Sequence, residues 1–420
     1  DATAANFGSL DFAGSTVTIT EASSTQIAAS EATGALTLVA AGAITQSGVI
    51  DSISTSSFNA GANTITLTQA NDFAGAVSLT NTGTTNLVQV TDANAIDLGN
   101  VNVGGALNVT STGTITDTGN LTVVGLATLV SGGNAITLGD GTTANFGSID
   151  FAGSTVAITE ASDMSIAESE ATGALSLTAS GAISQTGRID ADNTSLFDNT
   201  GGTDAAITLD NANNDFTGAV SVTASDTGSN VSLKDVNAID LGAVSVGDAL
   251  TVSSTGAITD SANITVGGLA TVGSGGNAIT LGDGTTANFG SIDFAGSTVA
   301  ITEASAMSLA ASEATGALSL TASGAITQTG AIDADSTTSI SAGANAITLA
   351  DAANDFTGAV SLSNTGAFDV AVRDANALDL GTVGVGRDLT VTTGGTLSDS
   401  GVVSVTGLAT IVSTGQTVVL

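Results

Sequence analysis

The eighteen residues NFGSIDFAGSTVAITEAS, Asn145 to Ser162, return letter for letter from Asn288 to Ser305, and NFGSLDFAGSTVTITEAS runs from Asn6 to Ser23. A chain that repeats itself this closely folds one unit over and over, each copy resting on its neighbour. Aligning the motif makes Phe7, Phe146 and Phe289 equivalents and divides the chain into units 1–139, 140–282 and 283–420. Inside each unit lies a shorter period. GALTLVAAGAITQSG from Gly34 matches GALNVTSTGTITDTG from Gly105, and Leu36, Leu107, Leu175, Leu250, Leu318 and Leu389 recur at intervals of 71, 68, 75, 68 and 71. Each long unit is therefore a diverged duplication of a half-repeat, and DF(A/T)G agrees by occurring six times, at Asp11, Asp72, Asp150, Asp215, Asp293 and Asp355.

The finest grain is the strand. ALTL (35–38), AITQ (43–46), TITLT (64–68), AVSL (76–79), LVQV (87–90), AIDL (95–98), ALNV (106–109) and ATLV (127–130) alternate apolar with polar residues. That is the period of a half-buried strand, and the Gly, Asn, Asp, Ser and Thr between them supply turns. No amphipathic helical window of useful length is present. Strands starting every 7 to 10 residues suit a solenoid better than a propeller, whose blades take about 40 to 50 residues. The expected fold is all-β, a right-handed parallel β-helix (β-solenoid) with about three strands per coil and no globular domains. Three coils of about 23 residues fill the half-repeat, so that about 18 coils at ~4.8 Å make a rod on the order of 85 Å. Equivalent side chains are expected to stack in ladders, with Val, Ile and Leu inside. Nine of the twelve Phe belong to the NF or DF(A/T)G motifs and read as core fillers or corner plugs. The length changes between Ile50 and Phe73, Ile189 and Phe216, and Ile332 and Phe356 mark DNTSLFDNTGGTD (192–204) as the protruding loop.

Composition closes most reaction classes. There is no Cys and no His, hence no disulfide, no thiolate metal site and no imidazole base. Thirty-nine acids face four bases, Arg188, Lys234, Arg373 and Arg387, for a net charge of −35, which repels nucleic acid and anionic lipid. The acids are dispersed and read as a solvated surface. No stretch is long and apolar enough to insert in a membrane. The chain lacks an initiator Met and a signal sequence, and no atypical terminal repeat is visible, which points to a segment of a longer array or to molecules stacking end to end.

No catalytic, cofactor-binding or metal-ligating residue is nominated. DFAG lacks the partners of a kinase metal motif, and GDGTT lacks the ending of a phosphate loop. DANAIDLG (92–99) misses the calcium-loop spacing, leaving weak association of Ca2+ with surface Asp as the one metal interaction in view. Arg188 aligns with Val49 and Ala331, Arg387 with Asp248 and Gly105, while Lys234 and Arg373 share a position held by Thr91. A β-helix lyase or hydrolase would need a unique, irregular centre, so an enzyme is not expected. Thr-x-Thr pairs in TVTIT and TITLT are interrupted by AIDL, ALNV and LVQV, which argues against a flat ice-binding rank.

The string NDF.GAVSL…DANA.DLG…G.L.V…G.ITQ.G…GLAT…GNAITL resembles the repeat regions of large filamentous-haemagglutinin-like and autotransporter-like bacterial surface adhesins, over essentially the whole chain. The resemblance implies a right-handed parallel β-helix shaft, export to the cell surface and a mechanical or adhesive role. The expected function is a structural repeat module of a secreted bacterial extracellular fibre or surface layer, with copies of itself as partners, end to end or laterally, and cell-surface or matrix polysaccharide as a further partner. The alternatives are the shaft of an adhesin whose binding tip lies elsewhere and, remotely, a polysaccharide-cleaving β-helix.

Overall fold

A computed structural model describes residues 5–199, 201, 204–413 and 415–420. Among these the chain is all β, with no helix, and its strands pair in parallel as a β-solenoid. Two compact units divide it, Asp1–Gly218 and Ala219–Leu420, each spanning three half-repeats.

One turn of the first unit shows how the sequence builds a coil. Leu36–Ala40, Ile44–Gln46 and Ile50–Ser52 form three short strands, and Ser56–Asn59 closes the turn by pairing back onto Leu36–Ala40. Alternation does the sorting: Leu36, Leu38 and Ala40 are buried while Thr37 and Val39 point outward. β-Branched and apolar residues fill the inside, and parallel in-register pairing supplies the backbone hydrogen bonds. The second unit repeats this with Leu318–Ala322, Ile326–Gln328, Ile332–Ala334 and Thr338–Ser341.

The turn is shorter than the coil expected from the half-repeat. Successive rungs Val17, Leu36, Ser56 and Val77 follow at intervals of 19, 20 and 21, and Ile279, Val299, Leu318 and Thr338 at intervals of 20, 19 and 20. At about 20 residues per turn each unit winds about ten turns, on the order of 50 Å at ~4.8 Å per rung.

The half-repeat is consequently not a whole number of coils, and its equivalents do not stack on one another. Leu107 pairs with Val88, which stands on Ile65 and Ile44, so Leu107 occupies the column of Ile44 and not that of its equivalent Leu36. Leu175 likewise stands on Val156, Ile136 and Ile115, where Ile115 is the equivalent of Ile44. In the second unit Leu318 stands on Val299, Ile279 and Ile258, and Leu389 on Val370, Ile347 and Ile326. Each half-repeat makes about three and one-third turns, so each advances by one face.

The advance happens where one strand column divides while another stops. Val77–Asn81 pairs with Ile96–Val103 through a register shift, and that longer strand then carries both Ile115–Asp117 and Leu121–Val123 on the next turn. The column through Glu31, Asp51 and Asp72 stops at Phe73. In the next half-repeat Ala144–Gly153 divides the same way, pairing Ile149 with Ile166 and Ala152 with Glu170.

Seven Phe are fully buried, among them Phe73, Phe151, Phe216, Phe294 and Phe356 of the DF motif. Phe58 and Phe73 meet edge to face at 6.0 Å, as do Phe197 and Phe216 at 5.8 Å. Phe7 departs from the expected interior role and is about half exposed, at 49%, and Phe368, which belongs to neither motif, is exposed to a similar extent. Of the expected loop 192–204, Ser195–Asp198 is instead a strand of the stack with Phe197 in the core. The added length falls after Asp198: the step from Ile183 to Ile207 is three longer than the steps from Ile44 to Ile65 and from Ile326 to Ile347. Residues 200, 202 and 203 of that stretch lie outside the described residues.

Candidate functional site

Where a strand column stops, its last rung presents a backbone N–H and a C=O with no strand above to receive them, and a buried unpaired N–H costs about as much as a lost hydrogen bond. One carboxylate per half-repeat meets that need. Asn71 C=O accepts the N–H of Ala93 at 2.7 Å, and the N–H of Phe73 donates to Asp92 Oδ2 at 3.0 Å. Ala144 C=O accepts from Ala161 at 2.9 Å while Phe146 N–H donates to Glu160 Oε1 at 2.7 Å. The same step recurs with Phe7 on Glu21 at 3.0 Å, Phe289 on Glu303 at 3.1 Å and Phe356 on Asp374 at 2.9 Å. The acid side chain stands in for the peptide carbonyl of a rung that is not there.

Glu21, Asp92, Glu160, Asp235, Glu303 and Asp374 are spaced 71, 68, 75, 68 and 71, the intervals of the Leu36 series, and all six are buried. The expectation of a solvated acidic surface fails for these six. The Asp and Glu steps differ in reach. At the Asp steps 19 or 18 residues separate Phe from acid, and Oδ1 also accepts the N–H two residues on, from Asn94 at 2.7 Å and Asn376 at 2.6 Å. At the Glu steps the separation is 14, and Oε1 of Glu160 and of Glu303 takes both the Phe N–H and a Ser hydroxyl, Ser162 at 3.3 Å and Ser305 at 3.1 Å. Glu160 Oε2, Glu303 Oε2 and Glu21 Oε1 are buried without a partner. Burial is the largest cause pushing Asp92 and Asp374 above the usual carboxylate value, against the two N–H bonds that lower them, and it pushes Glu160 up to about 7 and Glu303 to about 6.

Two further polar devices seal corners. Gln46 and Asn71 exchange amide hydrogen bonds at 2.8 and 3.1 Å while Asn71 Oδ1 accepts the N–H of Ile50 at 2.9 Å, and Gln185 with Asn214 and Gln328 with Asn354 repeat the pair. In alternate half-repeats Asp117 and Asp260 replace the Gln and hold GDGTT: Gly139 N–H donates to Asp117 and Gly282 N–H to Asp260, each at 2.9 Å, with the Thr142 and Thr285 hydroxyls on the same carboxylates. GDGTT is thus a pinned corner.

Outside, acids stack in register. Glu31, Asp51 and Asp72 occupy three successive rungs, and so do Glu170, Asp190 and Asp215, and Glu313, Asp333 and Asp355. Shallow grooves of about 350 and 330 Å3 run along the first and third ladders, beside Asp11 and Asp293. Burial first, then Asp335 and Asp355, push Asp333 upward. In the middle ladder Arg188 pairs with Asp190 at 2.9 Å, and Val49 and Ala331 stand at its position in the other two.

The remaining bases do not gather. Arg387 pairs with Asp369 on the surface, and Arg373 lies on strand Val370–Asp374. Lys234 heads the column Ser253, Gly273, Ala295, Glu313, where Gly273 replaces Val130 of the preceding unit and opens a groove of about 370 Å3. No group of three or more Asp or Glu among the described residues is placed to hold a metal ion.

Six consecutive segments, 14–80, 84–149, 153–223, 228–292, 296–363 and 367–420, match one family model, described as repeats of unknown function (DUF5649). No curated protein and no solved structure matches the chain.

Proposed function

The chain belongs to the DUF5649 family of repeats of unknown function, and from that premise we propose that it is a structural module of a secreted bacterial surface fibre or layer, without catalytic activity. The observation that carries this reading is the one-face advance. Over three half-repeats a motif that every half-repeat carries, such as the Leu36 series, is presented once on each face, so that the shared motifs build no single dedicated ligand surface. Such a surface suits association with copies of the same chain from several directions. Net charge of −35 keeps the copies apart until cations screen it, and the stacked acidic ladders are where Ca2+ would collect weakly.

Negative-stain electron microscopy and light scattering of the purified chain, in low salt and then with millimolar Ca2+ or high NaCl, test the proposal. Lateral or end-to-end assemblies forming as charge is screened support it. Isolated particles under every condition overturn it in favour of the adhesin shaft, and turnover of an acidic polysaccharide overturns the non-catalytic reading.

A further inference from the structure

The Asp and Glu steps differ in how they tolerate a negative charge. Asp92 and Asp374 meet theirs with a backbone N–H on each oxygen. Glu160 and Glu303 are each 1% exposed, place both of their donors on Oε1 and leave Oε2 bare. An ionised carboxylate with one bare oxygen in an apolar interior is far costlier than the neutral acid, whose carbonyl oxygen accepts both donors while the hydroxyl occupies the bare position. Beside Glu160 lies an open groove of about 220 Å3, lined also by Thr142, Thr159, Thr178 and Ser180.

We propose that Glu160 and Glu303 are proton-operated latches: in the acid form each closes the step at which a strand column ends, and loss of the proton loosens that step, at Glu160 by admitting solvent through the adjoining groove.

The surroundings favour the proton. Asp163 follows Glu160 on the same turn, and the neighbouring corner carries Asp140 and Asp117. Around Glu303 the corner carries Asp283 and Asp260, and Ala306 replaces Asp163. No base stands on these elements. Burial is the main cause raising both groups, and Asp163 adds to it only at Glu160, which is pushed to about 7 where Glu303 reaches about 6. A Glu raised in the folded state holds its proton more tightly there than in the unfolded chain. Stability therefore falls as pH rises from the ordinary value of 4.5 through about 6 or 7, and the full cost is present above that window.

Hydrogen exchange of the full chain at about pH 5 and about pH 8.5, corrected for intrinsic rates, tests the latch. The expected result is a loss of protection of about tenfold or more in peptides covering Phe146 and several-fold at Phe289, with a much smaller change at Phe73 and Phe356. Glu160→Gln and Glu303→Gln should each abolish the pH effect at their own step alone, and Asp163→Ala should shift the midpoint at Phe146 toward that at Phe289. A uniform change at all four steps, as general charge repulsion would produce, overturns the proposal. So does a pH-independent wild type, or a pH effect that survives in the Gln variants.

Discussion

Asp92 Oδ2 accepts the N–H of Phe73 at 3.0 Å from 19 residues further along the chain, and Oδ1 accepts the N–H of Asn94 at 2.7 Å. Asp92→Ala leaves one buried and one part-buried donor bare and is expected to cost about 2 to 3 kcal/mol, whereas Asp92→Asn keeps one acceptor and costs about half as much. Chemical denaturation, with limited proteolysis locating the opened turn, reads the difference. Equal losses for the two variants would show that volume and not hydrogen bonding holds the step.

The Gln46–Asn71 amide pair acts as one piece, because removing either partner takes both mutual hydrogen bonds from the other, Asn71 inside the core and Gln46 at its edge. A double-mutant cycle with Gln46→Ala and Asn71→Ala is expected to give a coupling energy of about 1 to 2 kcal/mol. Additive losses would mean that each amide serves its backbone contacts independently.

Gly139 and Gly141 both have positive φ, 76° and 77°, but a Cβ on Gly139 would lie 2.0 Å from the carbonyl oxygen of Thr159, while one on Gly141 meets nothing within 4 Å. Gly141→Ala costs conformational strain alone, about 1 kcal/mol. Gly139→Ala must also push apart two rungs and is expected to lower the melting temperature several-fold more. Similar shifts for both would place the cost in φ and not in the close approach.

Asp51 sits between Glu31 and Asp72 on an exposed ladder. Carboxylates one rung apart repel, and salt screens that repulsion. Asp51→Asn is expected to raise the melting temperature by about 1 to 3 °C in low salt and to be neutral in about 0.5 M NaCl. A substitution that destabilises at low salt would reveal an attractive role for the ladder.

Much of the fold is legible in the sequence, since alternation marks the strands: ALTL, AITQ and LVQV become Leu36–Ala40, Ile44–Gln46 and Val88–Asp92. The advance by one face is not legible there, because a sequence period measures chain length and says nothing of which side the chain has reached. A clue lies in the strand residues themselves, for Leu36, Ser56 and Val77 follow at intervals of 20 and 21, and the interval of 71 from Leu36 to Leu107 is no multiple of either. The buried acids are hidden for a related reason. Glu21 and Asp92 differ in type, so they escape an identity search, yet they keep the interval that separates Leu36 from Leu107. That shared interval marks them as one structural position, although it does not by itself tell them from surface acids, since Asp72, Asp140, Asp215 and Asp283 recur at 68, 75 and 68 as well.

Since Glu and Asp steps alternate along the chain, gain or loss of one Glu–Asp pair of half-repeats by unequal recombination would leave every junction of a kind the chain already uses. What such an event changes is angular phase: two one-face advances turn the outward residues that follow in the same unit by about two-thirds of a revolution. Copy number in this sequence is thus a heritable dial for the direction in which later surface features point.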